Sequence, residues 1–265
     1  MNGTGSALLG GDDPPPFDVV RPDSESPFVI VVDHAGRAIP KALAGLGLPP
    51  EALDLHIAYD IGALGVARKL GAALDACAIS QPYSRLVIDC NRAPDQTGSI
   101  LAVSDGVAIP GNADLSPTQR AARVEAIHSP YHRRIGEVLE RRRARGSSTV
   151  MVFQHSFTPR MAGIERPWRV GVLHLGDSSV SEAMLTLLRA ESDLVVGDNE
   201  PYAMDGTDYT APRHARYPGD DMLELEVRQD LIADDVGQAA MAARFARLLP
   251  QALQQARQRS RTALP

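Results

Sequence analysis

Hydrophobic residues are grouped along this chain in short continuous runs that end at polar residues. Such runs are rich in Val, Ile and Leu and predict strands that are buried on both faces of a sheet. They lie at residues 27–33, 85–90, 148–154, 169–175, 194–198 and 222–228. In the last run acidic and apolar residues alternate, so one face of that strand carries carboxylates.

Between these runs, apolar residues recur every three or four positions, as on the buried face of a helix. One helix is predicted to begin near Asp60, whose carboxylate could cap the first turn. A second begins at Ser116 with a capping-box sequence, is expected to bend at Pro130 and ends near Arg145. Two further helices are predicted at residues 180–191 and 235–258.

The alternation of strands and helices predicts an α/β protein, a three-layer α/β/α sandwich around a mixed, mostly parallel sheet. We expect one domain at residues 27–260, because a chain of 265 residues is near the upper limit for a single hydrophobic core. Residues 1–26 are rich in Gly, Pro, Asp and Ser, so we expect them to form a disordered arm.

Charge and cysteine content argue against several classes of protein. The chain has 27 basic and 33 acidic residues and a net charge of −6, which disfavours binding of nucleic acid. Its two cysteines, Cys77 and Cys90, are too few for a disulfide framework. Because no run reaches the ~20 apolar residues of a membrane span and no signal-peptide pattern is present, we expect a cytoplasmic protein. The sequence does not indicate an oligomeric state.

Polar side chains stand where three predicted strands end, at His34, at the pair Asn91 and Arg92, and at His155. The carboxyl ends of parallel strands meet at one edge of a sheet, so we expect these residues to converge there. Two histidines and one carboxylate form the three-ligand arrangement that catalytic zinc uses, with a fourth position open. The pattern therefore favours a metal site, although spacing alone does not establish one and each histidine taken singly could be a hydrogen-bonded loop residue.

Four segments resemble, in the same order, the signature blocks of the N-formylglutamate amidohydrolase family. They are VVDHAGRAIP (31–40), YSRLVIDCNR (83–92), QHSFTP (154–159) and LELEVRQDLI (223–232), and the segment 197–210 with His214 is similar as well. The resemblance implies a zinc-carboxypeptidase-like (phosphorylase/hydrolase-like) fold and zinc-dependent hydrolysis of N-formylglutamate to formate and glutamate. The partner it implies is a small N-acyl amino acid.

That family is similar to the zinc carboxypeptidase and aspartoacylase group, in which an arginine precedes an Asn-Arg pair that binds the substrate carboxylate. Here Arg85 precedes Asn91 and Arg92. The resemblance implies that Arg85 stabilises the oxyanion formed from the amide, while Asn91 and Arg92 hold the carboxylate. Further substrate contacts are expected at Arg37, Ser84, Tyr202 and His214.

The metal ligands cannot all be transferred from the carboxypeptidase group. Its first histidine is followed three residues later by a glutamate ligand, whereas this chain has Arg37 at that place. Asp60 lies in YDIGA, which resembles an aspartate-bearing segment of the formylglutamate hydrolases. We therefore expect His34, Asp60 and His155 to bind Zn²⁺ or another divalent cation. Asp33 is the alternative third ligand, or it could orient His34 by accepting its other ring proton.

A general base is expected on the strand at residues 222–228. The resemblance favours Glu226, with Glu224 as the second candidate, while an edge strand that shows an acidic face to water is the competing interpretation. Two other functions stay open. One is a deacylase or carboxypeptidase-like hydrolase of another N-acyl amino acid, and the other is a non-catalytic protein that binds an acidic ligand, which the departure at Arg37 suggests.

His128 and His132 are four residues apart on a predicted helix, a spacing that can bind metal. No acidic residue lies between them, as it does in the metalloprotease motif, and Arg133 and Arg134 would repel a cation. We interpret both histidines as ordinary helix residues.

Overall fold

The computed structural model describes residues 8–176, 178–215, 217 and 220–262. Its strands, in chain order, are β1 (Asp18–Val20), β2 (Phe28–Val32), β3 (Cys77–Ser80), β4 (Val103–Ser104), β5 (Val107–Ala108), β6 (Val150–Phe157), β7 (Arg160–Met161), β8 (Ile164–Glu165), β9 (Val170–Leu173), β10 (Val196–Asp198) and β11 (Asp221–Arg228). Seven of these form the central sheet, and β4–β5 and β7–β8 form two small hairpins.

The strand order in the central sheet is β1-β3-β2-β6-β11-β9-β10. The four strands β3, β2, β6 and β11 are parallel to one another. At the two sides, β1 runs antiparallel to β3, and the parallel pair β9 and β10 runs antiparallel to β11. The predicted mixed, mostly parallel sheet is therefore confirmed.

The helices are α1 (Ala63–Ala73), α2 (Pro117–Arg123), α3 (Ser129–Ala144), α4 (Ser179–Arg189), α5 (Thr210–His214) and α6 (Asp235–Thr262). They cover both faces of the sheet. Ile30 and Val32 of β2 pack in the core formed with α1, α4 and α6, whereas Val29 and Val31 pack in the core formed with α3. The three-layer architecture is thus as predicted. None of the described helices combines the length and apolar character that a membrane crossing needs.

The helix predicted from Ser116 is divided by a π-helical turn at Val124–His128. Its start is as expected, because the Ser116 side chain accepts from the amide of Gln119 while the Gln119 side chain accepts from the amide of Ser116. The irregularity therefore comes just before Pro130, the residue at which we expected a bend. A π turn changes which residues of a helix face the core, and such turns are frequent at functional sites.

Residues 85–90, predicted to be a strand, form a turn and a loop instead. β3, which the apolar pattern did not indicate, is the neighbour of β2 on the side away from β6. Leu86, Val87 and Ile88 are nevertheless buried in the core on the α3 side of the sheet. Their apolar character reflects the burial of a turn, and a short apolar run does not distinguish a buried turn from a strand.

Because the segment 85–92 has no strand partner, side chains satisfy part of its backbone. Asn112 Nδ2 donates to the carbonyl of Leu86 at 2.8 Å, and Arg123 Nη1 donates to the carbonyl of Val87 at 2.8 Å. Arg123 is 1% exposed, and Nη1 also donates to Asn112 Oδ1 at 2.6 Å. A buried guanidinium therefore holds the segment that carries several predicted site residues.

Part of the predicted N-terminal arm belongs to the sheet. Residues 8–26 are described, and β1 pairs with β3 with Val19 opposite Ile79. The expectation of a separate, disordered arm is therefore wrong for Asp18–Val20, because a β-branched pair there adds to an open sheet edge. Residues 1–7 lie outside the described residues.

We expect Arg123→Met to lower the free energy of unfolding by roughly 2–4 kcal/mol, because it leaves several buried acceptors without a donor. The exposed Arg133→Met is the control, and its effect should stay within about 0.5 kcal/mol. Urea unfolding followed by circular dichroism measures both. Equal stability of Arg123→Met and the wild type would contradict the role we assign to this side chain.

Candidate active site

A cavity of about 410 Å³ opens where β2, β6 and β11 approach their carboxyl ends. The structure brings most of the predicted site residues together around it. Those that line the cavity are His34, Asp60, Arg85, Asn91, Arg92, His155, Tyr202, Glu224 and Glu226. The cavity is therefore the candidate active site.

His34 lies two residues beyond β2 and contacts a carboxylate with each of its ring nitrogens. Nε2 lies 2.7 Å from Asp89 Oδ1, and Nδ1 lies 3.4 Å from Asp60 Oδ2. The amide of Asp60 also donates to the carbonyl of His34 at 2.9 Å. If Nε2 donates its proton to Asp89, Nδ1 keeps its lone pair and faces Asp60.

His155 also contacts Asp60 through its Nδ1 atom. It lies within β6, which continues to Phe157, so this residue is part of the strand and does not follow its end as predicted. Its Nδ1 is 2.8 Å from Asp60 Oδ2, and its Nε2 is 3.6 Å from Asp33 Oδ2. The Nδ1 atoms of both histidines therefore converge on one oxygen of Asp60.

The carboxylate of Asp60 is available for this contact because it does not cap α1. The N-cap of α1 is Gly62, and no side chain bonds to the first turn. Gly62 has a positive φ of 81°, and a Cβ there would lie 2.1 Å from the carbonyl oxygen of Ile232. Only glycine fits at this turn. The competing interpretation of Asp60 as a helix cap is therefore wrong.

The three residues His34, Asp60 and His155 fit a divalent cation. One ligand atom from each lies within 4.8 Å of the others, and all three residues are buried. His34 Nδ1 has no hydrogen-bond partner, although it is fully enclosed. Burial opposes a charge on His155, yet Glu224, Asp33 and Asp60 raise its pKa well above the ordinary value, so positive charge is favoured here. Imidazole nitrogen and carboxylate oxygen are the ligands that zinc prefers.

Asp33 and Asp89 each contact the Nε2 atom of one histidine, Asp33 that of His155 and Asp89 that of His34. Asp33 was considered as a third ligand or as the partner of His34, but it lies behind His155, and its Oδ1 accepts from Thr210 Oγ1 at 2.9 Å. The partner of His34 is Asp89, which the sequence analysis missed. The signal was present, since this aspartate is two residues before Asn91 in a recognised block, but the incorrect strand prediction hid it.

Glu224 and Glu226 project from β11 beside His155. In the register of the sheet, Glu226 is paired with His155 and Glu224 with Phe153, although Glu224 has the larger electrostatic effect on His155. Because β11 lies between β6 and β9, the competing interpretation as an edge strand is wrong. Burial raises the pKa of each glutamate to about 8. Glu226 Oε2 has no hydrogen-bond partner.

Arg85 and Arg92 reach the cavity, but both are bound to carboxylates of the protein. Arg85 donates to Asp89 Oδ2 through Nη2 at 2.7 Å and through Nε at 3.2 Å. Arg92 Nη1 is 3.1 Å from Asp208 Oδ1. The side chain of Asn91 also contacts Asp208, at 3.3 Å. Each guanidinium is therefore oriented by the protein.

Three expected substrate contacts are absent from the residues that line the cavity. Arg37 forms an ion pair with Asp54 and is half exposed to solvent. Ser84 is fully buried, and its hydroxyl donates to the carbonyl of Ala58 at 2.7 Å. His214 Nε2 lies 3.0 Å from Nδ1 of His132 in α3. The structure therefore gives no support to these three as substrate ligands, since each side chain is directed to a protein partner.

Comparisons with known proteins agree with this architecture. The family model described as N-formylglutamate amidohydrolase matches residues 26–233. The solved structure of gene product Atu2144 from Agrobacterium tumefaciens is similar with a TM-score of 0.90 and 37% identity, covering 93% of this chain and 98% of that one. No curated protein matches the chain.

A second solved structure, an N-formylglutamate amidohydrolase from Ralstonia eutropha JMP134, has a TM-score of 0.65 and 19% identity and covers 92% of this chain and 98% of that one. At this identity the likeness supports the fold alone. The family match covers most of the sequence, and it includes all of the residues that surround the cavity. This chain therefore belongs to the N-formylglutamate amidohydrolase family.

Proposed function

We propose that this chain is a divalent-metal-dependent amide hydrolase of the cytoplasm that cleaves a small N-acyl amino acid. N-formylglutamate, giving formate and glutamate, is the first candidate substrate. The observation that carries the proposal is the convergence of His34, Asp60 and His155 in a cavity that also contains Glu226 and Arg92. Zn²⁺ suits these ligands, and other divalent transition metals such as iron or nickel also bind imidazole and carboxylate.

A divalent cation held by His34, Asp60 and His155 would supply the Lewis acidity that activates water and polarises an amide carbonyl. Glu226 then takes the proton of the attacking water on Oε2, the enclosed oxygen without a partner. The C–N bond breaks, and Glu226 returns the proton to the leaving nitrogen. Burial raises the pKa of Glu226 to about 8, which allows it to retain the proton taken from water, while the charge of a bound cation would favour the ionised form that accepts this proton.

Two guanidiniums orient the substrate in this proposal. Arg85 donates toward the oxygen of the former carbonyl, where negative charge develops. Arg92 binds the α-carboxylate through the edge that is not held by Asp208, since only Nη1 contacts that residue. Tyr202 lines the same cavity and receives a hydrogen bond from Arg166 at 2.9 Å. We assign Tyr202 to the wall that closes over the acyl group.

The charge of the cavity favours a second candidate, an N-acyl amino acid with only one carboxylate. Among the described lining residues, Arg85 and Arg92 are the only Lys or Arg side chains. The acidic lining residues are Asp60, Asp105, Asp205, Asp208, Glu224 and Glu226. A dianionic substrate would bring a second carboxylate into this mainly acidic lining, where Arg85 and Arg92 already contact carboxylates of the protein.

The metal ligands are tested by metal analysis of purified protein after loading and dialysis. We expect about one divalent ion per chain in the wild type and a large loss in His155→Gln, because an amide is a poor substitute for an imidazole ligand. His174→Gln is the matched control, since His174 is bound to Asp198 outside the cavity. Retention of the ion by His155→Gln would refute the ligand assignment.

Replacement of the base gives a second test. Glu226→Gln should lower kcat roughly 10²–10⁴-fold while the bound metal is retained, because the amide cannot accept the proton. Glu224→Gln, the neighbouring buried carboxylate on the same face of β11, should cost less than about tenfold. A larger loss in Glu224→Gln than in Glu226→Gln would reverse the assignment.

Substrate class is tested by formate release from N-formylglutamate, N-formylglutamine and N-formylleucine with metal-loaded protein. If the acidic lining excludes a second carboxylate, kcat/KM should be higher for the glutamine compound, and Asp105→Asn should raise kcat/KM for N-formylglutamate roughly threefold. A preference of more than about tenfold for N-formylglutamate in the wild type would eliminate the second candidate. Absence of hydrolysis of all three would eliminate the hydrolase proposal for formyl substrates.

A further inference from the structure

His128 and His132, interpreted from sequence as ordinary helix residues, are buried against the loop that carries Asn91 and Arg92. Their exposed fractions are 2% and 4%. His128 ends the π turn, and His132 lies one turn later in α3, so both imidazoles face the same side of the helix. Their ring centroids are 4.4 Å apart. Burial of two unpaired imidazoles would be costly, so their partners are informative.

Each of these histidines bonds to a backbone carbonyl of the loop. His132 Nε2 lies 2.8 Å from the carbonyl oxygen of Cys90, and His128 Nε2 lies 3.0 Å from the carbonyl oxygen of Arg92. A carbonyl oxygen can only accept, so both Nε2 atoms carry the proton and donate. The two bonds flank Asn91 on either side.

His214 determines which nitrogen of His132 carries the proton. Its Nε2 is 3.0 Å from His132 Nδ1, and the two rings are stacked with centroids 5.3 Å apart. Because His132 already donates through Nε2, its Nδ1 accepts, and His214 Nε2 must be the donor. A directed series of bonds therefore runs from His214 through His132 to the carbonyl of Cys90.

Burial keeps these three rings neutral, as the series of hydrogen bonds requires. Burial lowers the pKa of His132 to about 3 and that of His214 to about 4. Burial also lowers the pKa of His128. At neutral pH each ring therefore has one proton, and the tautomers deduced from the carbonyl contacts are the only ones that satisfy all three bonds.

The loop needs such support because it lies outside the sheet. Asn91 is held from the other side, where its Oδ1 accepts from the amides of Tyr209 and Thr210 at 3.1 and 3.0 Å. Arg92 extends from the loop into the cavity, and Nη1 is the one nitrogen with described acceptors. A shift of the backbone at Arg92 would therefore move the guanidinium relative to the metal ligands.

We propose that His128 and His132 are positioning residues that fix the backbone on both sides of Asn91, so that Arg92 is held ready for the substrate carboxylate, and that His214 sets the tautomer of His132. The inference rests on the proposed function, in which Arg92 binds that carboxylate. It assigns to α3 a role in substrate affinity, separate from metal binding and from proton transfer. His214 thereby acts on the substrate site from behind the loop, through His132.

The test compares His132→Leu with His132→Gln, and His128→Leu with His128→Gln, using N-formylglutamate or the best substrate of the panel. The leucine variants lack the donor, and we expect KM to rise roughly tenfold or more while kcat changes less than about threefold and metal content is unchanged. The glutamine variants can place an amide donor near the original Nε2, so their KM should stay within about threefold of the wild type.

Ile135→Ala is the matched control, because Ile135 is fully buried on the same helix and packs in the core on the α3 side of the sheet. It should lower the Tm without a change in KM. If it raises KM as much as the leucine variants do, or if the leucine variants leave KM unchanged, the positioning role is refuted.

The tautomers provide a test that requires no variant to fold. In ¹⁵N-labelled wild-type protein, imidazole NMR spectra should show Nε2-protonated, neutral rings for His128, His132 and His214 at pH 7. A proton on Nδ1 of His132 would overturn the inference. A wild type that hydrolyses no amide would remove the proposed function, and this inference with it, whereas an active wild type with the wrong tautomers would refute the inference alone.

Discussion

Five carboxylates are buried at one end of the central sheet, and the rest of the site depends on how their charge is balanced. They belong to Asp33, Asp60, Asp89, Glu224 and Glu226, and none is more than 5% exposed. Negative charges cannot lie together in a protein interior unless cations or protons compensate them. The compensation comes from Arg85, from the two imidazoles that contact Asp60 and, in our proposal, from a divalent cation. Burial, together with the neighbouring carboxylates, raises the pKa of the two glutamates to about 8, so protons can compensate part of the charge.

The fold could be predicted from the sequence wherever the hydrophobic pattern reports directly on the sheet. The continuous apolar run at Phe28–Val32 corresponds to β2, a strand that is buried on both faces. The pattern was misleading at residues 85–90, where a turn is buried as deeply as a strand would be. It also missed β3 and β1, because strands of three or four residues leave too short a pattern to be distinguished from loops.

Sequence reasoning identified the residues at the centre of the site better than those around them. His34, Asp60 and His155 lie together as expected, because strand ends and a recognisable turn place them. The contacts of Asp89, His128 and His132 were not foreseen, because they join segments 36–55 residues apart in the chain. Their residue types gave no hint of these partners. The resemblance suggested substrate contacts for Arg37, Ser84 and His214, but their side chains contact protein partners outside the cavity lining. A resemblance of sequence blocks does not reveal which side chains face a cavity.

The short strand β1 has a consequence for the behaviour of the protein at high concentration. An open strand at the edge of a sheet offers unpaired N–H and C=O groups to which another chain can add, and this is a common route to aggregation. β1 pairs with the outer side of β3 in the antiparallel direction. Asp18 within β1 forms an ion pair with Arg68, and Arg21 directly after β1 forms one with Asp75. A segment whose composition suggested no part in the fold therefore supplies the edge strand of the sheet, and its length of three residues and its charges limit the pairing of this edge with another chain.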